Sequence, residues 1–346
     1  RASNSGRPDV LRLKRAEIRD TQHPNGAMVA VSTLVPADWQ TTGGVDWSTV
    51  QGCLQQPSLS WAAHSPDKQH AVAMFPPISW GWTTSSVPPK GCIRTRLDDA
   101  AQVASFYLQN LPGVRAEILD VARPDEIQPL IQQMNQQIQA TRPVGQQWAD
   151  IAVLKVRSDD GDVKSDSYMI AMTTHWYAAT PDGWGGMMES GGGYLAALIA
   201  ISTEQGKLDQ DPPPALATVM SNMRIEQDWM LATGRYMAKL RGIRFDEQKA
   251  LFNASQAAAR SNSSILDSAH DSFQQRSASG DRTQRRLTES VWETNTYDTP
   301  DGERMFSTAY DDIWVLDNGD YALSNDPSYQ PFRDSGIDGR QLNRVY

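Results

Sequence analysis

The residues best equipped for chemistry lie near the middle of the chain. Glu189-Ser190-Gly191-Gly192-Gly193 puts a serine and a carboxylate on a glycine-rich stretch, and His175 lies upstream. Serine, histidine and carboxylate together are the grammar of acyl transfer, so one reading is a hydrolase with its site in the 185–193 loop. The stretch lacks the glycine two residues before the serine that a nucleophile elbow needs, and no predicted strand runs straight into it. A flexible or close-packed loop is the plainer expectation, and no residue is assigned a catalytic role.

Metal chemistry finds less support. The histidines His23, His64, His70, His175 and His270 are scattered, and none has a second histidine three or four residues away on a common helix face. His64 and His70 flank a predicted turn. Asp159-Asp160-Gly161-Asp162 and Asp317-Asn318-Gly319-Asp320 could offer oxygen ligands to calcium, but neither continues to the bidentate glutamate of a helix-loop-helix site, so both read as turns. No metal or cofactor is expected.

The aromatic residues give a sharper pattern. Trp80-Gly81-Trp82, and Trp176-Tyr177 with Trp184, bracket two Pro/Gly-rich loops. In an extended segment Trp80 and Trp82 project from one face. Such a pair could stack on a sugar ring, grip a peptide or anchor a partner subunit, because large aromatics dominate interface energetics. The alternative is a core cluster. Cys53 and Cys92 make an even count in a segment rich in Pro, Trp and Gly, each next to a glycine. A disulfide between them is expected, which implies an oxidising compartment, against the alternative of two buried free thiols. The chain starts at Arg1 in a polar stretch that reads like the end left by a removed leader. The expected location is therefore extracytoplasmic: periplasm, secreted or cell surface.

Charge narrows the partners. With 32 basic and 41 acidic residues the formal charge is −9, which repels phosphate backbones and argues against nucleic acid. No apolar run approaches the ~20 residues of a membrane span. The charge is uneven: residues 215–289 hold 11 basic and 8 acidic residues, net +3, whereas 290–346 hold 4 and 11, net −7. Arg235, Lys239, Arg241, Arg244 and Lys249 cluster in the first, Asp311, Asp312, Asp317 and Asp320 in the second. The two patches could steer association or pair internally.

The elements that must carry these residues follow from periodicity. Runs at 59–63 and 71–75, separated by Ser65-Pro66-Asp67-Lys68, predict a hairpin. Leu97-Asp98-Asp99 opens a helix with Ala101, Ala104, Tyr107, Leu108 and Leu111 at helical spacing, ended by Leu111-Pro112-Gly113. A strand at 114–121 precedes a second helix with Ile127, Leu130, Ile131, Met134 and Ile138 on one stripe. Strands at 151–156 and 168–176 are followed, beyond the glycine-rich loop, by one at 194–201. A Pro-rich connector at 204–214 leads into 215–286, where Leu216, Met220, Met223, Met230, Met237 and Leu240 predict a long helix, a turn near 242–245 and a second, small-residue helix. From 290 short strands return, and Asn318-Gly319 between strand formers marks a hairpin.

This order predicts an α+β protein: an antiparallel or mixed sheet with covering helices, a long helical hairpin and a small C-terminal β-meander. The expected divisions are an N-terminal extension at 1–27, an α/β sandwich domain at 28–213, the helical segment at 214–289 and the meander with a polar tail at 290–346.

Two stretches carry a family likeness. Leu34-Val35-Pro36-Ala37-Asp38-Trp39, followed by Gly43-Gly44-Val45-Asp46-Trp47, resembles the opening of domains similar to the PsbP/Mog1 α/β/α sandwich. Tyr297-Asp298-Thr299-Pro300-Asp301-Gly302, Tyr310-Asp311-Asp312-Ile313-Trp314 and Asn318-Gly319-Asp320-Tyr321-Ala322-Leu323-Ser324 resemble the C-terminal signature of the same group of uncharacterised exported bacterial proteins. The resemblance implies a binding scaffold without a shared active site. The expectation is a non-enzymatic extracytoplasmic binding or assembly subunit. Its contacts are expected on Trp80, Trp82, Trp176, Trp184, Arg235, Lys239, Arg241 and Arg244, with a protein partner or self-association, or a carbohydrate or peptide held on Trp80 and Trp82.

Overall fold

A computed structural model describes residues 10–51, 53, 56–84, 91–140, 145–161, 163–181, 186–208, 214–240 and 294–345. They form two compact units: residues up to 37 together with those from 217 onward, and residues 38–216. The body of each is an antiparallel sheet, so the chain is sheet-rich with few helices.

The central unit contains β3 (Gln40–Asp46), β4 (Ser58–His64), β5 (Ala71–Met74), β6 (Ser79–Thr83), β7 (Ile93–Arg94), α1 (Ala100–Gln109), β8 (Arg115–Ala122), α2 (Gln128–Ala140), β9 (Gln146–Asp159), β10 (Lys164–Pro181) and β11 (Met187–Glu204). Its sheet runs β3-β4-β5-β11-β10-β9-β8. The edge of β11 is shared, since β5 pairs with residues 199–202 and β6 with 190–194. Between them Pro76 and Pro77, which lack an N–H to donate, pass the one-residue bulge of β11 around Ala196.

β10 and β11 are each 18 residues long, which corrects the expected glycine-rich loop at 185–193: from Met187 onward the residues are strand. The hairpin at β4–β5 and the helix α1 form where periodicity places them. Asp99 caps α1 by accepting from the Gln102 N–H at 2.8 Å. Ala100, Val103, Ala104 and Leu108 make its buried stripe, packed with Trp80, Leu154, Met169, Leu195 and Leu198 of the sheet. α2 buries no residue fully. It instead closes a sheet edge. β8 reaches β9 only at 153–159, and beyond that the Asn135 amide bonds both the N–H (2.8 Å) and the C=O (3.4 Å) of Ala149.

Cys53 and Cys92 are joined in a disulfide with their Cα atoms 4.8 Å apart, the pairing expected from the sequence. No helix among the described residues is long and apolar enough to cross a membrane.

The other unit draws on both ends of the chain: β1 (Val10–Asp20), β2 (Met28–Pro36), β12 (Arg224–Ile225), α4 (Gln227–Leu240), β13 (Thr294–Thr299), β14 (Gly302–Ser307), β15 (Asp312–Leu316), β16 (Tyr321–Ser324), α5 (Pro331–Ser335) and β17 (Gly339–Gln341). α3 (Pro214–Ser221) carries the chain across the boundary. The sheet order β12-β2-β1-β16-β15-β17 shows that residues 10–20 are a central strand, where the sequence suggested an extension, and that β2 pairs with β1. The C-terminal strands close on the N-terminal ones through β1 and β16. Phe306 of the β13–β14 hairpin lies 5.7 Å from the Tyr297 ring and 5.2 Å from the Tyr321 ring, in a core with Leu13, Leu34, Ile313 and Leu323.

The continuous helix expected from Leu216 to Leu240 is broken. The buried Asn222 turns its amide to the Thr218 carbonyl (2.9 Å) and to the Met305 carbonyl (2.6 Å), and Arg224 and Ile225 then pair with β2. Local helical spacing yields here to tertiary pairing. The rest of the expected helical hairpin, including the turn and the second helix, lies outside the described residues.

Arg304 of β14 is only 4% exposed, and its Nε and Nη1 have no hydrogen-bond partner among the described residues. Burial, and next the nearby Arg224, push its guanidinium below the ordinary arginine value. An uncompensated buried cation is destabilising. Replacing it by Arg304→Met, which keeps most of the stem volume, is expected to raise stability by about 1 kcal/mol or more, read as a higher unfolding midpoint; a drop would show that the guanidinium is paid for by contacts made only in solution. Cys53→Ser/Cys92→Ser is expected to cost about 4 kcal/mol by loop entropy, measured by denaturant unfolding of oxidised chain and variant.

Candidate functional site

Four aromatic side chains converge on the glycine run of β11. The register sets Trp82 opposite Gly191 and Trp80 opposite Gly193, and on the far side of β11 Tyr177 opposite Gly191 and His175 opposite Gly193. Opposed residues of antiparallel strands share a face, so Trp80 and Trp82 reach across β11 over positions that carry no Cβ. A Cβ at Gly191 would lie 2.8 Å from the Trp82 Nε1, and one at Gly193 would lie 2.6 Å from the Trp80 Cζ2. Gly192 faces the other side, where its Cβ would sit 3.2 Å from the Trp176 Nε1. The glycines are there for rings to cross, which explains the run without a catalytic turn.

His175 is the most enclosed titratable group of this region, at 1% exposure. Its ring stacks on Trp148 at 5.2 Å and meets Trp80 edge-on at 5.4 Å. Its Nε2 shares a hydrogen bond with the Thr173 Oγ1 at 2.8 Å, and the Leu97 carbonyl, which also accepts from the Trp80 indole at 3.2 Å, faces it. Burial pushes its pKa below the ordinary histidine value, outweighing the Asp150, Asp99 and Asp98 carboxylates that pull it up. The imidazole is therefore neutral, bonded and packed. Asp150 of β9 accepts from the Ala100 N–H at the first turn of α1 (2.9 Å) and from Arg123 (3.1 Å). Burial raises its pKa, but those two donors hold the net value below the usual carboxylate range.

Ser190 does not join this group. It pairs with Ala178, three residues along from the Gly193 position opposite His175, and an odd separation on a strand turns the two side chains to opposite faces. Trp80 is 1% exposed, so Trp80 and Trp82 form no open platform. Trp82 packs over Gly191, lies 6.3 Å from the Tyr177 ring, and has the Arg96 guanidinium 4.6 Å from its ring centre. The Tyr177 pKa is raised by burial and by its hydrogen bond to Glu189. These aromatics close one end of the sheet face that α1 covers.

The opposite face of β10 and β11 is different. Tyr168, Ile170, Met172, Thr174 and Trp176 alternate along β10 on that side, with Tyr194 opposite Thr174. Trp176 is 36%, Tyr168 38% and Tyr194 39% exposed, while Ile170 and Met172 are half-buried. The alternation of β10 and β11 could have revealed this strip, but reading 185–193 as a loop hid the pairing. Of the other expected contact residues, Arg235 and Lys239 are exposed on α4. Trp184, Arg241 and Arg244 lie outside the described residues. Among the described residues no three His, Cys, Asp or Glu side chains gather as metal ligands. The sequence reading also passed over a groove on the α1 side of the sheet, of about 330 Å³, floored by serines.

No family model, curated protein or solved structure matches the chain. The stretch from Leu34 to Trp47 belongs to both units, with Leu34 to Pro36 ending β2 and Gln40 to Asp46 forming β3.

Because folded His175 resists protonation and the unfolded chain does not, stability is full above about pH 6.5 and falls as the pH drops below it. Half-buried His70, also lowered by burial, acts in the same sense. The unfolding midpoint is expected to fall between about pH 6.5 and pH 5, with a shallower fall in His175→Gln; equal slopes in both proteins would refute the assignment.

Proposed function

We propose that this protein is a non-enzymatic binding or assembly subunit of an extracytoplasmic compartment, contacting a protein partner through the partly exposed aromatic strip of β10 and β11. The observation that carries the reading is the strip of Tyr168, Trp176 and Tyr194 bordered by Ile170 and Met172. Water-exposed aromatics held on rigid paired strands are costly to leave bare and are the residue types that anchor interfaces. Trp176 is fixed by its fit against Gly192, so little side-chain entropy would be lost on docking. The disulfide supports the compartment. The PsbP/Mog1-like motifs are in keeping with an accessory scaffold, a likeness that supports only the class of function.

The groups that suggested a hydrolase do not converge: the histidine is stacked between indoles on one face, and the serine is on the other. The buried Trp80 likewise leaves no sugar-stacking pair.

A photo-crosslinking residue placed at Tyr194 or Tyr168 in cells is expected to give one discrete adduct, with none from Gln109 on exposed α1. Trp176→Ala/Tyr194→Ala is expected to weaken that association by about tenfold or more. Absence of an adduct from every strip position, together with a monomeric native mass for the purified chain, would defeat the reading.

A further inference from the structure

On the α1 side of the central sheet the side chains change character along the strands. Next to α1 the row across β9, β10 and β11 is Leu154, Met169 and Ala200. One step further it is Val156, Ser167 and Ser202, and one beyond that Ser158 and Ser165. The Ser167 and Ser202 hydroxyls are 2.8 Å apart, and those of Ser158 and Ser165 are 2.9 Å apart. Each pair uses one O–H internally and keeps one O–H and several lone pairs for another group. The serines therefore stand where this sheet face runs out from under α1, and they give that stretch a hydroxyl-lined surface.

Above these rows the surface is open. A groove of about 330 Å³ has the four serines in its floor, Phe75, Leu108 and Leu111 in its walls, and His64, Lys68 and Asp160 around it. That volume is within the range of small-molecule sites. Lys68 is the one described non-glycine residue with a left-handed backbone, φ 59°, a conformation that costs about 1 kcal/mol or more. The two formal charges of the lining, Lys68 and Asp160, are of opposite sign, and the hydroxyls are neutral. His64 donates its Nδ1–H to the Ser65 carbonyl at 2.9 Å.

We infer that this groove is a binding site for an uncharged amphiphile, a molecule with an aliphatic or flat apolar body and a hydroxyl or carbonyl head. The body lies against α1 and Met169. The head exchanges hydrogen bonds with the free O–H of the Ser167–Ser202 and Ser158–Ser165 pairs. A charged head of either sign meets one like and one opposite charge at Lys68 and Asp160, and at the serine floor would have to leave water for neutral hydroxyls. The inference goes beyond the protein-contact reading above and does not depend on it, because the groove and the aromatic strip occupy opposite faces of the sheet.

The test is a titration of the full oxidised chain, labelled at the methionine methyls, with decanol, decanoate and decyltrimethylammonium, following the Met169 methyl by NMR. Decanol is expected to shift Met169 saturably, the two charged analogues at least about tenfold more weakly. Ser167→Ala/Ser202→Ala, which removes both hydroxyls without orphaning either, is expected to weaken decanol about tenfold. Ser202→Phe, which fills the groove, is expected to abolish the shift. No Met169 response to any of the three, tighter binding of a charged analogue, or undiminished decanol binding in the double alanine variant would each overturn the inference. If Ser202→Phe fails to fold, the alanine variant and the analogue series decide alone.

Discussion

Three successive residues without a Cβ, Gly191 to Gly193, set where the aromatic side chains of the central unit can lie. A β-strand alternates its side chains, so a bare stretch opens a channel on both faces at once. On one face Trp80 and Trp82 lie across β11 and reach His175 and Tyr177 of β10; on the other, Trp176 rests against Gly192. Any side chain at 191 or 193 would collide with an indole, and the stack from Trp80 through His175 to Trp148 would have to open.

That stack gives the two faces of the sheet different fates. The face with Trp80 is closed at this end by aromatics, in its middle by α1, and is open only toward the serine rows. The face with Trp176 buries Ile151, Ile199 and Ile201 and leaves Tyr168, Trp176 and Tyr194 more than a third exposed. His175, which looks catalytic in the sequence, is held by two indoles and Thr173, and the neighbouring Asp150 is engaged by the first turn of α1 and by Arg123.

The other unit obeys a different constraint, that of strands far apart in sequence needing a shared ladder. β1 is completed by β2 on one side and by β16, some 300 residues later, on the other. Such non-local pairing is won at a loop-closure cost and repaid by the packed Leu13, Leu34, Phe306 and Tyr321 core. Asn222, bonded to both backbone groups of Met305, ties the segment after α3 to that hairpin.

Much of the local structure was legible in the sequence, because short-range rules govern it. The Ser65 to Lys68 turn, the Asp99 cap with its apolar stripe, the Asn318-Gly319 hairpin and the cysteine pair all depend on residues close in sequence or on composition. Partnership across the chain was not legible. Residues 10–20 read as an extension because a strand's partner leaves no mark in its own sequence, and Gly191 to Gly193 read as a loop because the bulky partners that explain them stand on β6 and β10. The helical spacing from Leu216 to Leu240 was real, yet pairing of Arg224 with β2 overrode it. The sequence by itself determined the local turns, the α1 cap and the pairing of its two cysteines, which short-range rules and composition fix; which aromatics are buried, which are exposed, and that serines from three strands share one floor were decided only when distant strands came into register.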